Sequence, residues 1–172
     1  MRILTDEEIS ALISEPKVVP TNWFARLETK EKTHYQHKEK EVEIEGSNGN
    51  LFRIILRQNK LNILDFSIIL TVKEKDSTLE YILLRYNGKH PSKHTNKWEK
   101  ENGLPDHTFA PAFHIHKATQ RYQEGGYKID GHAEVTIKYS DFHAAVEQFL
   151  VECNVKREDD KQASLFEGGG IS

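Results

Sequence analysis

Five apolar residues at strictly alternate positions, Leu64, Phe66, Ile68, Leu70 and Val72, constrain this chain more than any other feature. A period of two belongs to a β-strand with one buried face, and a slip of one residue would turn the whole set toward water. Such a strand needs partners, and the flanking sequence supplies them. Val42 and Ile44 alternate with glutamates. Phe52, Ile54 and Leu56 face one way while Arg53 and Arg57 face the other. Leu79 to Tyr86 is apolar enough for a central strand. The Asn48-Gly49 pair is a hairpin signal, and the turns at 58–62 and 75–78 are short. Short connections favour antiparallel neighbours, so the pattern predicts a meander. Phe113 to Lys117 and Ala133 to Tyr139 read as further strands, for about five or six in the sheet.

Helices bracket these strands. Thr5 and Glu8 form the pattern of a capping box ahead of the stripe Ile9, Leu12 and Ile13, and Pro16 ends that helix. Near the C-terminus Phe142, Ala145, Val146, Phe149, Leu150 and Cys153 recur at helical spacing behind Ser140, a capping residue type. Trp23, Phe24 and Leu27 read as core anchors, and the charged stretch from Glu28 to Lys40 fits a strand or an ordered loop. The expected fold is therefore α+β, a mainly antiparallel sheet with an N-terminal and a C-terminal helix. Residues 1–155 form one domain with a long loop at 87–111, and residues 156–172, charged and then glycine-rich, form a disordered tail.

Composition narrows the class. With 24 basic and 27 acidic side chains the net charge is −3, which does not advertise a nucleic-acid binder, although a local basic face stays open. The single cysteine, Cys153, permits no intrachain disulfide and points to a reducing compartment. Met1 to Glu8 lacks the apolar stretch of a secretory signal, and no run is long enough to span a bilayer. A cytoplasmic location without membrane association is the expectation.

The chemistry concentrates in histidines. Of nine, six (His90, His94, His107, His114, His116 and His132) fall within 43 residues, in and beside the long loop. His114 and His116 are the sharpest pair, because residues two apart on a strand share a face, about 6.6 to 7 Å apart at the backbone. Near neutral pH one imidazole accepts a proton while another donates, the minimum for metal-independent cleavage of RNA phosphodiesters. Arg85 and Arg121 suit a phosphate, and Tyr122 can assist as donor or acid. His94, Asn96 and Lys97 in the loop, and Tyr86 at the strand end, are candidate binding residues. A zinc site would need His114 and His116 plus ligands from His90, His94, His107, Asp106 or His132. No defined spacing marks such a site, so metal ranks below the metal-free pair, and no cofactor is expected. A structural reading competes throughout: a His-x-His pair is common, Tyr86 and Tyr122 fit core-edge aromatics, and lysine runs usually line solvated loops.

Leu4-Thr5-Asp6-Glu7-Glu8 through Pro16-Lys17, then Leu84-Arg85-Tyr86-Asn87-Gly88, His94-Thr95-Asn96 and Phe113 to Thr119, resemble a family of small uncharacterised bacterial proteins, over about Leu4 to Asn154. More distantly, Arg85-Tyr86-Asn87 and His114-x-His116 resemble TumE-like toxins of bacterial toxin–antitoxin systems. In this sequence the aspartate of that turn is missing and the intervening loop is far longer. The resemblance implies a toxin-like or defence-associated protein, with a His-dependent ribonuclease acting on RNA as the leading expectation. A non-enzymatic binding module with a cognate protein partner, and a metal-dependent hydrolase, are its rivals.

Overall fold

The computed structural model describes residues 1–30 and 36–159. In chain order the elements are α1 (Asp6–Ser14), β1 (Lys17–Val19), β2 (Glu28–Lys30), β3 (His37–Glu45), β4 (Leu51–Asn59), β5 (Phe66–Lys73) and β6 (Glu80–Asn87). Then come β7 (His94–Thr95), α2 (Lys97–Glu101), β8 (Thr108–Phe109), β9 (His114–Lys117), α3 (Gln120–Glu124), β10 (Ala133–Val135), α4 (Phe142–Glu152) and β11 (Val155–Arg157).

The alternating segments form a seven-stranded antiparallel sheet ordered β10-β9-β6-β5-β4-β3-β2. The chain is α+β, with a helix at each end of the sequence packed on the sheet. Strands β2 to β6 are a meander, and β9 then returns to the free edge of β6.

The register sorts the side chains. Ile54, Leu70 and Leu84 lie side by side across β4, β5 and β6, as do Leu56, Ile68, Tyr86 and Ile115 out to β9. This face carries the core, with Phe52, Phe66, Ile68 and Leu70 essentially inaccessible. Helix α1 contributes Ile9 and Ile13, and α4 contributes Ala145, Val146, Phe149 and Leu150. Fully burying each such side chain stabilises by roughly 1.5–3 kcal/mol. Thr5 and Glu8 make the expected reciprocal capping box, at 3.1 and 2.8 Å.

Between the two helices lies a lysine that composition would place at the surface. Lys17 is 1% exposed, and its ammonium donates to the carbonyls of Ile13, Glu15 and Cys153 at 2.7–2.9 Å and of Leu12 at 3.2 Å. Helix ends leave their last carbonyls unpaired, and one cation here satisfies the ends of α1 and α4 together. Burial depresses its pKa to about 8, with the neighbouring Cys153 and Glu15 opposing the shift.

Several sequence expectations are corrected. Trp23 and Leu27 are core residues, but Phe24 is 43% exposed, edging onto Trp23 with the Lys40 ammonium over its ring. The strand expected from Ala133 to Tyr139 stops at Val135, because its neighbour β9 begins at His114, opposite Val135, and among the described residues no other strand pairs there. The cap of α4 is Asp141, whose Oδ1 accepts from Ala144 N at 2.8 Å, rather than Ser140. The loop at 87–111 is an ordered excursion containing β7, α2 and β8. Lys156 and Arg157, expected to open a disordered tail, instead pair in parallel with Val18 and Val19. Residues 160–172 lie outside the described residues, as does part of the charged stretch before Lys40.

Candidate metal centre

The face of the sheet turned away from α1 and α4 is where the histidines gather. In β9, Phe113 and Ile115 pack against the core side, so His114 and His116 point to the open face. Register places His116 beside Arg85 of β6 and Ala133 of β10, and His114 beside Asn87 and Val135. Adjacent positions of neighbouring strands bring side chains within about 5 Å. Gly88 makes the exit from β6 possible: a Cβ there would overlap the Leu64 carbonyl.

The third histidine arrives from the excursion. Asn96 anchors it to β10, with its Nδ2 donating to Ala133 O at 2.9 Å and its Oδ1 accepting from Ala133 N at 2.8 Å. Glu99 of α2 anchors it again, accepting from the Tyr122 hydroxyl and from Arg121 and lying 2.9 Å from His132 Nδ1. With β7 held this way, the His94 ring sits 4.8 Å from that of His116 and 5.6 Å from that of His114, while His114 and His116 are 5.0 Å apart. One ring nitrogen from each of His94, His114 and His116 lies within 4.8 Å of the other two.

Hydrogen bonds define the tautomers. His114 Nδ1 donates to Ala112 O at 2.7 Å and His116 Nδ1 donates to Asp130 O at 2.8 Å. Carbonyls only accept, so both rings carry their proton on Nδ1 and a lone pair on Nε2. The Asn87 amide, oriented by Ser67 Oγ at 2.9 Å, donates to His114 Nε2 at 3.2 Å, consistent with that tautomer. Among the described residues, His116 Nε2 has no hydrogen-bond partner. His94 Nε2 lies 2.9 Å from Asn96 Oδ1, whose own orientation is set by Ala133, so His94 keeps its lone pair on Nδ1.

The electrostatics keep the rings neutral. Burial is the main cause for His116, followed by the Arg85 charge and the two other imidazoles, and its pKa falls to about 2. For His114, burial and then His90, His94 and Arg85 outweigh the Ala112 hydrogen bond and bring it to about 4. Burial also lowers His94, against the bond to Asn96. Three uncharged imidazoles, each with one lone pair, that of His114 met by the Asn87 amide, form a donor set suited to zinc and its first-row neighbours. A bond of about 2.1 Å puts tetrahedral nitrogens roughly 3.4 Å apart, so the rings would close by at most about 1.4 Å across the widest pair. The Ala112 and Asp130 carbonyls that hold Nδ1–H fix the two ring orientations, the role such carbonyls have around histidines that bind metals in general.

A polar network supports the set from below. Asp130 is fully buried, and its carboxylate pairs with Arg85 Nη2 at 2.8 Å and Lys128 Nζ at 3.5 Å while its carbonyl holds His116. Arg85 Nε is left buried without a hydrogen-bond partner. In front of the imidazoles opens a cavity of about 650 Å³, reached by Arg85, His90, Lys93, Lys97, Tyr127 and Lys128.

Of the residues singled out from sequence, His114, His116, Arg85, His94 and Lys97 therefore meet at one place, with Asn96 as the anchor of the excursion. Tyr86 does not join them. It faces the core, stacks on Tyr139 at 5.2 Å and donates to Glu152 at 2.7 Å, because an even step along β6 from Leu84 keeps it on the helix side. Arg121 and the Tyr122 hydroxyl are taken by Glu99, and burial with that carboxylate pushes the Tyr122 phenol up, so neither is free to work on a phosphate. Sequence reasoning missed Asn87, Asp130 and Lys128. Asn87 was within reach: it alternates with Arg85 on the strand that His114 and His116 would need as a neighbour.

Compared with models of protein families, with curated proteins and with solved structures, the chain gives no match. What can be said of the site rests on its geometry.

Proposed function

We propose that this protein is a metal-dependent hydrolase whose ion is held by His94, His114 and His116. The observation that carries this reading is the convergence of three neutral imidazoles, two of them locked by backbone carbonyls in the tautomer that leaves the lone pair on Nε2. Three protein nitrogens leave a fourth position open, the arrangement of catalytic rather than structural zinc. A zinc ion so bound would lower the pKa of its water to about 7 and supply hydroxide at neutral pH. His90, its ring 5.1 Å from that of His114 and at the cavity wall, is placed to carry the proton released from the water.

The metal-free acid–base pair on RNA, the leading expectation from sequence, has less support. It needs one protonated imidazole near pH 7, and burial beside Arg85 holds both His114 and His116 neutral far below that. The experiment is elemental analysis of untagged protein after dialysis against zinc and against EDTA. One zinc per chain is expected, lost in His116→Ala and in His94→Ala with the fold retained. No bound first-row metal at micromolar zinc and neutral pH would end this reading.

A further inference from the structure

We propose that the cavity over the imidazoles binds a small, multiply charged phosphate ester of nucleotide size. This deepens the hydrolase reading and rests on it for one contact, since a bound metal would face the same cavity. The charge balance of the wall carries the inference. Arg85, Lys93, Lys97 and Lys128 line it, and among the described residues no carboxylate does. Asp130 lies behind the wall, at 0% exposure, where it orients Arg85 without presenting an oxygen to the cavity. A divalent ion on three neutral ligands would add two positive charges, and the one carboxylate close by, Asp130, is already shared between Arg85 and Lys128. Such a pocket lowers the energy of a polyanion and raises that of a neutral or cationic ligand.

Size and surroundings narrow the class. A volume of about 650 Å³ is far more than one phosphate needs and falls within the range of pockets that enclose whole small molecules. On the same face of the sheet, Arg53 is paired with Glu80 at 2.6 Å and Glu41 at 3.1 Å, and Arg57 with Glu39 at 2.6 Å. A long nucleic acid needs a basic track to neutralise successive phosphates, and these pairings interrupt it. A ligand whose charge sits in one place fits better. The polar contacts available to it are the lysine ammoniums, which act as point charges on phosphate, with Tyr127 and His90 as flat walls for the rest of the molecule.

The probes are ADP, inorganic pyrophosphate, adenosine and a single-stranded RNA of about 20 nucleotides. Binding to the full chain is measured by calorimetry, with zinc and with EDTA. ADP and pyrophosphate are expected to bind and adenosine is not. Replacing Lys93, Lys97 and Lys128 by alanine removes three exposed side chains and should leave zinc stoichiometry intact. The triple variant should weaken ADP by roughly 30-fold, about threefold for each lysine. Arginine at the three positions should restore most of it. Unchanged ADP affinity in the alanine variant, or adenosine binding as tightly as ADP, overturns the proposal. So does RNA binding tenfold or more tighter than ADP with a steep salt dependence, which would mean a polymer site. If zinc never binds but ADP still does, and the lysine variant loses it, the hydrolase reading falls while the anion pocket stands.

Discussion

Lowering the pH from 6.5 to 5 should destabilise this protein more steeply than its carboxylates can explain, and the cause should trace to two imidazoles. His114 and His116 are about 2% and 4% exposed and have folded-state pKa values of about 4 and about 2, against an ordinary value near 6.5. A histidine whose folded pKa is depressed gives full stability above its unfolded pKa. As pH falls through 6.5 the unfolded chain takes up a proton that the folded chain refuses. Each such group then costs about 1.4 kcal/mol per pH unit until its folded pKa is reached. Over the 1.5 units from pH 6.5 to 5 that is about 2 kcal/mol each, roughly 4 kcal/mol together, against a total stability on the order of 5–15 kcal/mol. Carboxylates enter mainly below pH 5, so this window isolates the imidazoles. The assay is urea denaturation in EDTA at pH 7.5, 6.5, 5.5 and 5. The midpoint should hold between the first two and fall steadily over the rest. A His114→Gln, His116→Gln double variant should lose most of that slope and keep only the part due to His94, whose pKa burial also lowers. A flat wild-type profile, or an equal slope in the variant, would show that the rings protonate in place and would remove the basis for calling them neutral ligands.

Other consequences are as direct. Lys17→Met leaves the carbonyls of Leu12, Ile13, Glu15 and Cys153 without their donor, and should cost about 3 kcal/mol in thermal or chemical unfolding. Tyr86→Phe removes only the bond to Glu152, so it should cost about 1 kcal/mol of stability and leave zinc affinity unchanged by calorimetry. Asp130→Asn strips the counter-charge from Arg85 beside His116, and should weaken zinc by about 10- to 100-fold in the same experiment while the chain stays folded.

Local signals were readable where a local rule determines the structure. Thr5 and Glu8 name the start of α1 because a capping box needs only those two residues. The alternation through Phe66, Ile68, Leu70 and Val72 names β5 because one face must be dry. The same rule overreached at Ile137, two places beyond Val135 and almost fully exposed, since alternation says nothing about whether a neighbouring strand is there to pair. It also could not place Tyr86, because both faces of a central strand are apolar over much of their length and the face is decided by register with β5 and β9.

The site divides along the same line. Half of it is local: two histidines two apart on a strand must share a face, and the arginine and asparagine opposite them follow once β6 is the neighbour. The other half is not local. His94 lies in a stretch with no periodicity, and it reaches the pair only because Asn96 clamps Ala133 and Glu99 gathers Tyr122, Arg121 and His132, contacts that span between 22 and 37 residues. That third ring changes the chemistry. Two imidazoles on a wet strand are an acid and a base near neutral pH. Three buried together beside an arginine cannot hold a proton between them, and what they have left to offer is lone pairs. The residues that decide which chemistry the rings can offer are thus Asn96 and Glu99, neither of which is one of the three imidazoles. Loosening either anchor should lower zinc affinity and, by admitting water to the rings, raise the pKa of His116 toward its ordinary value. Both shifts are measurable in Glu99→Gln, by calorimetry and by NMR titration of the imidazole. A Glu99→Gln protein that binds zinc as tightly as wild type would mean that His94 is held in place by something other than this excursion.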